Sequence, residues 1–254
     1  MVLWELLLVL LVACLAKKLL KKGKITMIYK NYRLQELQTK SKKAGIIFDV
    51  MVTGVTGAGK STTLNTLFQK EVSKVGFSVD PETMNLESYT LNNAFRLWDT
   101  PGLGDGIQQD QQHSKKLIDL LYKDYFSSHQ RYGFIDMVLV VIEGSNRDMG
   151  TTYKLLNDII VPNFPKERIL VAINQADVAM KGRYWDYTNN KPLSKLQQFL
   201  EEQATSIQRR VAEATGVDII KPVYYSAEYN YNIEKLLDLF IDNMPDTKRI
   251  HLLN

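Results

Sequence analysis

The chain is 254 residues long, 45% hydrophobic and 24% charged, with 7 Pro and 14 Gly. That excludes a disordered, collagen-like or low-complexity protein and leaves room for one large domain with an appendage. One cysteine, Cys14, and three scattered histidines, His113, His129 and His251, exclude a disulfide framework and a Cys- or His-built metal centre, while the net charge of +4 is gathered at one end.

Residues 1–45 hold ten Lys or Arg against Glu5 and Glu36, so a basic arm precedes a mildly acidic body. Such an arm suits an anionic membrane surface or nucleic acid. From Val2 to Ala16 the chain reads VLWELLLVLLVACLA, followed at once by KKLLKKGK. As a helix these fifteen residues reach about 22 Å, short of the ~30 Å hydrocarbon core, and Leu19 and Leu20 extend them if Lys17 and Lys18 snorkel. A cleavable signal carries its positive charge before the apolar run, whereas here the lysines follow it. Residues 1–22 are therefore expected to be a membrane anchor with the body on the cytoplasmic side. A helix lying in the interface and one packed on protein are the alternatives. Residues 23–45 read as a basic, helical linker, with apolar spacing at Ile28, Tyr32 and Leu37, and the domain proper is expected over residues 46–248, with a tail at 249–254.

Strand-like runs follow at 46–53, 86–91, 94–98, 134–142, 168–173 and 221–225, several of them almost wholly apolar. Helical patterns lie at 60–68, 111–126, 150–160, 194–215 and 232–243. Runs apolar on both faces, alternating with helices, predict a three-layer α/β fold with a mainly parallel sheet. The pair 86–98, joined by Asn92-Asn93, predicts a hairpin and hence one antiparallel edge strand. Ligands of such folds bind outside the carboxyl ends of the strands.

Immediately after the first strand comes Gly54-Val55-Thr56-Gly57-Ala58-Gly59-Lys60-Ser61, a full match to GxxxxGK[ST], with Thr62 continuing into a helix. Such a loop wraps phosphate oxygens with its N–H groups, its lysine neutralises the β and γ phosphates, and its serine offers a hydroxyl to Mg²⁺. The expected architecture is thus a P-loop NTPase fold with Mg²⁺ as cofactor. Asp99-Thr100-Pro101-Gly102 then ends the hairpin's second strand. There Asp99 supports the magnesium shell and the N–H of Gly102 senses a γ phosphate. Between them, Gly76–Asn85 reads as a polar loop. Thr83 is the candidate for closing over γ phosphate and metal, with Thr90, inside a strand pattern, as its competitor. The expected metal set is Ser61, Thr83 and Asp99, and the expected catalytic set Lys60, Thr83 and Gly102.

Asn174-Gln175-Ala176-Asp177 ends the strand at 168–173, and Ser226-Ala227 ends the next. An aspartate there accepts two hydrogen bonds from N1–H and the 2-amino group of guanine, donors that adenine lacks. Asn174 ties the loop, and Ser226-Ala227 offers a backbone N–H to the guanine O6. The expected ligand is GTP or GDP rather than ATP.

Together these elements resemble the translation-factor class of P-loop GTPases, and within it the Era-like branch, specifically the YfjP-like bacterial subfamily labelled "50S ribosome-binding GTPase". The PETM around Thr83, Arg147, the Tyr184-Trp185-Asp186 after NQAD, the run YYSAEYNYNIEKLL and Met244-Pro245 carry the likeness, which covers residues 46–248. The resemblance implies GTP binding, slow hydrolysis and a switch cycle. Ribosome or RNA as partner comes from the label alone. Three positions depart from the pattern. Gln175 replaces the usual lysine of NKxD, weakening contact with ribose and loop. Gly57 stands where potassium-dependent relatives carry Asn, so no potassium activation is expected. Leu103 stands where a glutamine orients the attacking water, so intrinsic turnover is expected to be slow.

Asp105, Gln108–Gln112 and His113 read as solvated loop side chains, Arg147 as an arginine paired with Asp148, and Trp185 and Tyr187 as packing on the 194–215 helix. The expected protein is a membrane-tethered GTPase at the bacterial inner membrane, with an unassigned effector and a possible homodimer across the nucleotide. The alternative is a non-hydrolysing GTP-binding scaffold.

Overall fold

The computed structural model describes residues 29, 31–45, 47–68, 88–91, 94–127, 129–145 and 149–250. The expected anchor, the loop bearing Thr83, the Asn92-Asn93 turn, Arg147 and residues 251–254 lie outside the described residues. Among the described residues no helix is long and apolar enough to cross a membrane.

The chain opens on α1 (Leu34–Ala44), β1 (Phe48–Gly54) and α2 (Lys60–Phe68), then β2 (Ser88–Leu91), β3 (Phe95–Asp99) and α3 (Ile107–Tyr122). A hairpin of β4 (Asp124–Ser127) and β5 (Gln130–Gly133) precedes β6 (Met137–Glu143). Next comes a helix that begins as α4 (Gly150–Lys154) and continues through a π-helical stretch Leu155–Ile160 into Val161–Asn163. The remainder is β7 (Ile169–Asn174), a small hairpin of β8 (Trp185–Asp186) and β9 (Lys191–Pro192), α5 (Ser194–Thr215), β10 (Val223–Tyr224) and α6 (Ile233–Asp242).

Six strands form one sheet in the order β10-β7-β6-β1-β3-β2. All neighbours are parallel except the edge pair β2–β3, which runs antiparallel with Thr90 opposite Arg96. The expected three-layer α/β architecture is thus present, antiparallel edge included. Its cause is visible in β1 and β6, whose residues are apolar on both faces. Side chains alternate across a strand, so Val50, Val52, Leu139 and Val141 pack under α2 and α6, while Met51, Val138 and Val140 pack under α3 and α5. Each fully buried aliphatic side chain contributes about 1.5–3 kcal/mol relative to exposure.

Among the described residues, the small hairpin β8–β9 is not among the expected elements, and two further stretches differ from the sequence expectation. The helix expected over 111–126 starts earlier, at Ile107, and stops at Tyr122. Lys123 turns extended (φ −59°, ψ 132°), and Tyr125 and Phe126 enter β4 instead. The apolar helix spacing ends at Leu121, and beyond it the Tyr125–Tyr132 cross-strand ring pair, 6.0 Å between centroids, favours a hairpin. Of the segment expected as a helical linker, the described part carries α1 and is docked on the body. Leu37 is buried, Tyr32 donates to Asp238, Lys40 to the Ile241 carbonyl, and Arg33 pairs with Glu36, Asp238 and Asp242. Successive contacts advance along both helices together, so α1 runs parallel to α6 and forms part of that layer.

At the amino ends of the strands lies a buried charge cluster. Asp49 accepts from Arg96 (2.7 and 2.8 Å) and from the indole of Trp98 (2.8 Å). Asp136 accepts from the Asp49 amide (3.0 Å) and from Lys248 (2.9 Å), which is 6% exposed. Burial pushes the Asp136 carboxyl upward while Lys248 opposes that shift. Arg249 donates to the Ile135 and Leu121 carbonyls, and its own carbonyl accepts from Gly133, so the last described residues strap this end of the sheet. Lys248→Met, which leaves Asp136 buried and unpaired, is expected to cost about 3 kcal/mol of unfolding free energy. Urea denaturation reads this directly, and an unchanged midpoint contradicts the role.

Candidate functional site

At the opposite, carboxyl end of the sheet, the loop from Gly54 to Lys60 leaves β1 and enters α2. Gly59 adopts φ +80°, and a Cβ there would fall 2.3 Å from the Asn174 side-chain nitrogen, so only glycine fits. Thr63 anchors the first turn of α2 by donating to the Gly59 carbonyl, and its hydroxyl meets the buried phenol of Tyr225 at 2.8 Å.

Lys60 is 7% exposed, and its ammonium donates to the loop's own carbonyls, Gly54 at 3.3 Å and Val55 at 3.1 Å. Burial lowers its pKa, opposed by Asp99 and Asp105. A buried ammonium held only by neutral carbonyls is poised to gain from an arriving anion. It opens onto a cleft of about 630 Å³ that Thr56, Ser61, Thr62, Asp99, Gly102 and Gln175 also line.

Ser61 donates to Asp99 Oδ2 at 2.8 Å, which leaves the lone pairs of its hydroxyl oxygen available to a cation. A hydroxyl and a carboxylate side by side are hard oxygen donors of the kind Mg²⁺ takes. Among the described residues no group of three His, Cys, Asp or Glu competes to build another metal site. The donor set therefore fits Mg²⁺.

From β3 the chain passes over this loop. Gly102 lies so close that a Cβ would fall 2.6 Å from the Thr56 nitrogen and 2.7 Å from the Lys60 ammonium. The Leu103 carbonyl accepts from the Thr56 amide (2.8 Å), and Leu103 bridges Val55 in parallel. The Leu103 side chain is 5% exposed and packs into the core beside Leu117, away from the cleft. Asp105, read from sequence as a solvated loop residue, accepts from the Thr56 hydroxyl at 2.9 Å. His113 and Lys116, one turn apart on α3, reach the same cleft. The signal that could have found them is helical spacing with Asp110, whose carboxylate accepts from the amides of Gly104 and Asp105.

The second half of the site hangs from Asn174, at the end of β7. Its amide nitrogen donates to the Ala58 and Gly59 carbonyls (3.0 and 3.3 Å), and its oxygen accepts from the Ala227 amide (3.1 Å). One side chain thus joins three loops. Gln175, at φ +60°, donates to the Gly57 carbonyl at 2.8 Å, so contact with the phosphate-type loop survives the loss of lysine. Asp177 is 7% exposed and accepts from Ser226 Oγ at 2.6 Å. Its other oxygen accepts from no group among the described residues. The Ser226-Ala227 turn, expected to offer a backbone N–H to the guanine O6, has both amides engaged within the protein. The Ala227 N–H serves Asn174 and the Ser226 N–H serves the Tyr231 carbonyl, because the turn after β10 closes on itself. Thr90, inside β2, is placed as a strand residue.

A family model described as 50S ribosome-binding GTPase matches residues 49–175. Among curated proteins, neuronal-specific septin-3 of Danio rerio is 36% identical over 89 residues, covering 30% of this chain and 25% of that protein. Septin-12 of Homo sapiens is 40% identical over 88 residues, with the same two shares. The chain thus spans about a quarter of the length of these relatives. Among solved structures, Toc33 from Arabidopsis thaliana in complex with Mg²⁺ and GMPPNP superposes with a TM-score of 0.61 at 18% identity. That match covers 91% of this chain and 98% of the other, and it shows a shared fold.

Proposed function

We propose, from the premise that this chain belongs to the family described as 50S ribosome-binding GTPase, that it is an Era-like, membrane-tethered switch of low intrinsic turnover. The chain binds guanine nucleotide and hydrolyses GTP as a switch, and Mg²⁺ is its cofactor. What carries the guanine-nucleotide reading is the Asn174 carboxamide, which ties the strand end bearing Asp177 to the loop bearing Lys60. A purine and a triphosphate are read by one rigid unit.

In this reading Lys60 and the amides of Gly57, Ala58 and Gly59 hold the β and γ phosphates, with Val55, Thr56 and Thr62 completing the loop. Ser61 and Thr83, supported by Asp99, would hold Mg²⁺, which would supply neutralisation of phosphate charge. The N–H of Gly102 senses the γ phosphate. Asp177 presents its unengaged oxygen, together with the one that holds Ser226, to the two donors on the guanine edge. Gln175 covers the base with its stem while its amide stays on Gly57. The Ser226-Ala227 turn is the proposed source of the backbone N–H for the guanine O6, its amides exchanging Tyr231 and Asn174 for the base. Asp177→Asn is expected to weaken GTP and GDP binding about 100-fold, leaving ATP binding unchanged. Calorimetry showing an unaltered nucleotide preference contradicts this assignment.

Catalysis has no water-positioning side chain at 103, since Leu103 faces the core. The intrinsic rate should then be about 10⁻³ s⁻¹ or slower. A second copy across the nucleotide is the proposed source of the missing group. Single-turnover hydrolysis should accelerate with protein concentration. No product at any concentration favours the scaffold reading, in which nucleotide occupancy alone governs docking.

The apolar run from Val2 to Ala16, followed at once by lysines, supports a tether in a bacterial inner membrane with the body on the cytoplasmic side. Association resistant to carbonate, and lost on deleting residues 1–22, is the expected result. A full-length chain found wholly in the supernatant overturns tethering.

A further inference from the structure

Beside Asp177 stands a corner of aromatic rings that takes no part in the binding described so far. Trp185 of β8 is its hub, buried against Leu196 and Leu200 of α5, with Tyr231 at 5.4 Å and Tyr229 at 5.6 Å between ring centroids. Tyr187, just after β8, stays outside that packing. It is 60% exposed and meets Tyr229 edge-on at 5.8 Å. Tyr229 therefore lies between a buried ring and an open one. The corner joins the carboxylate at two points. The Ser226 hydroxyl that donates to Asp177 also accepts from the Tyr229 amide at 3.3 Å. On the other side Gly182, at φ +70°, sits between the Tyr187 hydroxyl and the Asp177 carbonyl, so that a Cβ there would fall 3.4 Å from the first and 3.9 Å from the second. Desolvation, then Tyr187 and Asp177, push the pKa of the Tyr229 phenol upward, which puts that ring within electrostatic reach of the carboxylate.

Among the described residues Ser226 is the group that donates to Asp177, and the ring faces beside it offer no further donor. A carboxylate oxygen flanked by apolar rings is poorly hydrated, so a hydrogen bond to it is stronger, and a missing one more costly, than in open water. Gln175 leaves that flank in need of cover. Its amide is tied to the Gly57 carbonyl, and only its short stem remains to shield the base. We infer that Tyr187 and Tyr229 are specificity-determining residues, an aromatic wall that keeps water off the Asp177 contact and so sets how strongly the 2-amino group of guanine is read. Tyr187 is the outer ring, exposed until a base covers it, and Tyr229 props it from behind. The wall rests on the guanine-nucleotide reading above and adds what gives its deciding contact strength.

Full-length protein with Mg²⁺ is titrated by calorimetry with GDP and with inosine diphosphate. The second ligand keeps N1–H and O6 and lacks only the 2-amino group, so the ratio of the two affinities isolates that one hydrogen bond. Tyr187→Ala should lower the ratio about fivefold, the difference between a hydrogen bond to a shielded charge and one open to water. Tyr187→Phe keeps the ring and should stay within about twofold of wild type. Tyr229→Ala should shift the ratio in the same direction as Tyr187→Ala. Tyr187 lies outside the core, so its alanine variant keeps the urea midpoint of wild type. An unchanged ratio in the alanine variants overturns the wall, and so does a fall of both affinities together, the mark of a merely structural role. An equal loss in Tyr187→Phe also overturns it, because the hydroxyl and not the ring then matters. Wild type that prefers GDP to neither inosine diphosphate nor ADP overturns the underlying reading and the wall with it. Wild type that prefers GDP to both, with a ratio indifferent to residues 187 and 229, overturns the wall alone.

Discussion

The site depends on the satisfaction of buried backbone groups by one side chain. Loops that must present their amides to a ligand cannot also close into regular structure, and their carbonyls then need partners elsewhere. Asn174 supplies them for Ala58 and Gly59 while accepting from Ala227. Gln175 adds Gly57, and Thr63 adds a second bond to Gly59. The loop is therefore held from behind, with its front left to the ligand. Preorganisation of this kind spares the ordering entropy that a mobile loop would lose on binding.

The two ends of the sheet use charge in opposite ways. At the amino ends Asp49 and Asp136 are buried opposite Arg96 and Lys248, each charge paired within the fold. Removing one partner there is costly because the other has no route to water. At the carboxyl ends Lys60 is buried with neutral carbonyls as its direct partners, and Asp99 and Asp105 act on it only at range. A network complete in itself serves stability, while an incomplete one invites an anion. The same contrast places binding at one end and the strap of residues 248–250 at the other.

Much of the fold was legible in the sequence because its strongest signals are local. Apolar runs such as FDVMVTG and MVLVVIE mark strands buried on both faces, and the glycine spacing from Gly54 to Gly59 marks a phosphate-wrapping turn whatever surrounds it. The edge hairpin announced itself through Asn92-Asn93. The hairpin at 124–133 did not, because Tyr125 and Phe126 suit a helix as well as a strand and only pairing with Tyr132 decides between them. The docking of α1 was hidden for a similar reason. Arg33 and Lys40 look solvated until Asp238, Asp242 and the Ile241 carbonyl are brought beside them from two hundred residues away. So too with Asp105 and His113, whose partners Thr56 and Gly102 are set by the path of the chain over the loop. Residue type and spacing determined which chemistry the chain carries. Which of those groups face a ligand and which face one another was decided by tertiary structure, because a hydrogen bond depends on positions within a few tenths of an ångström and no pattern along the chain records them.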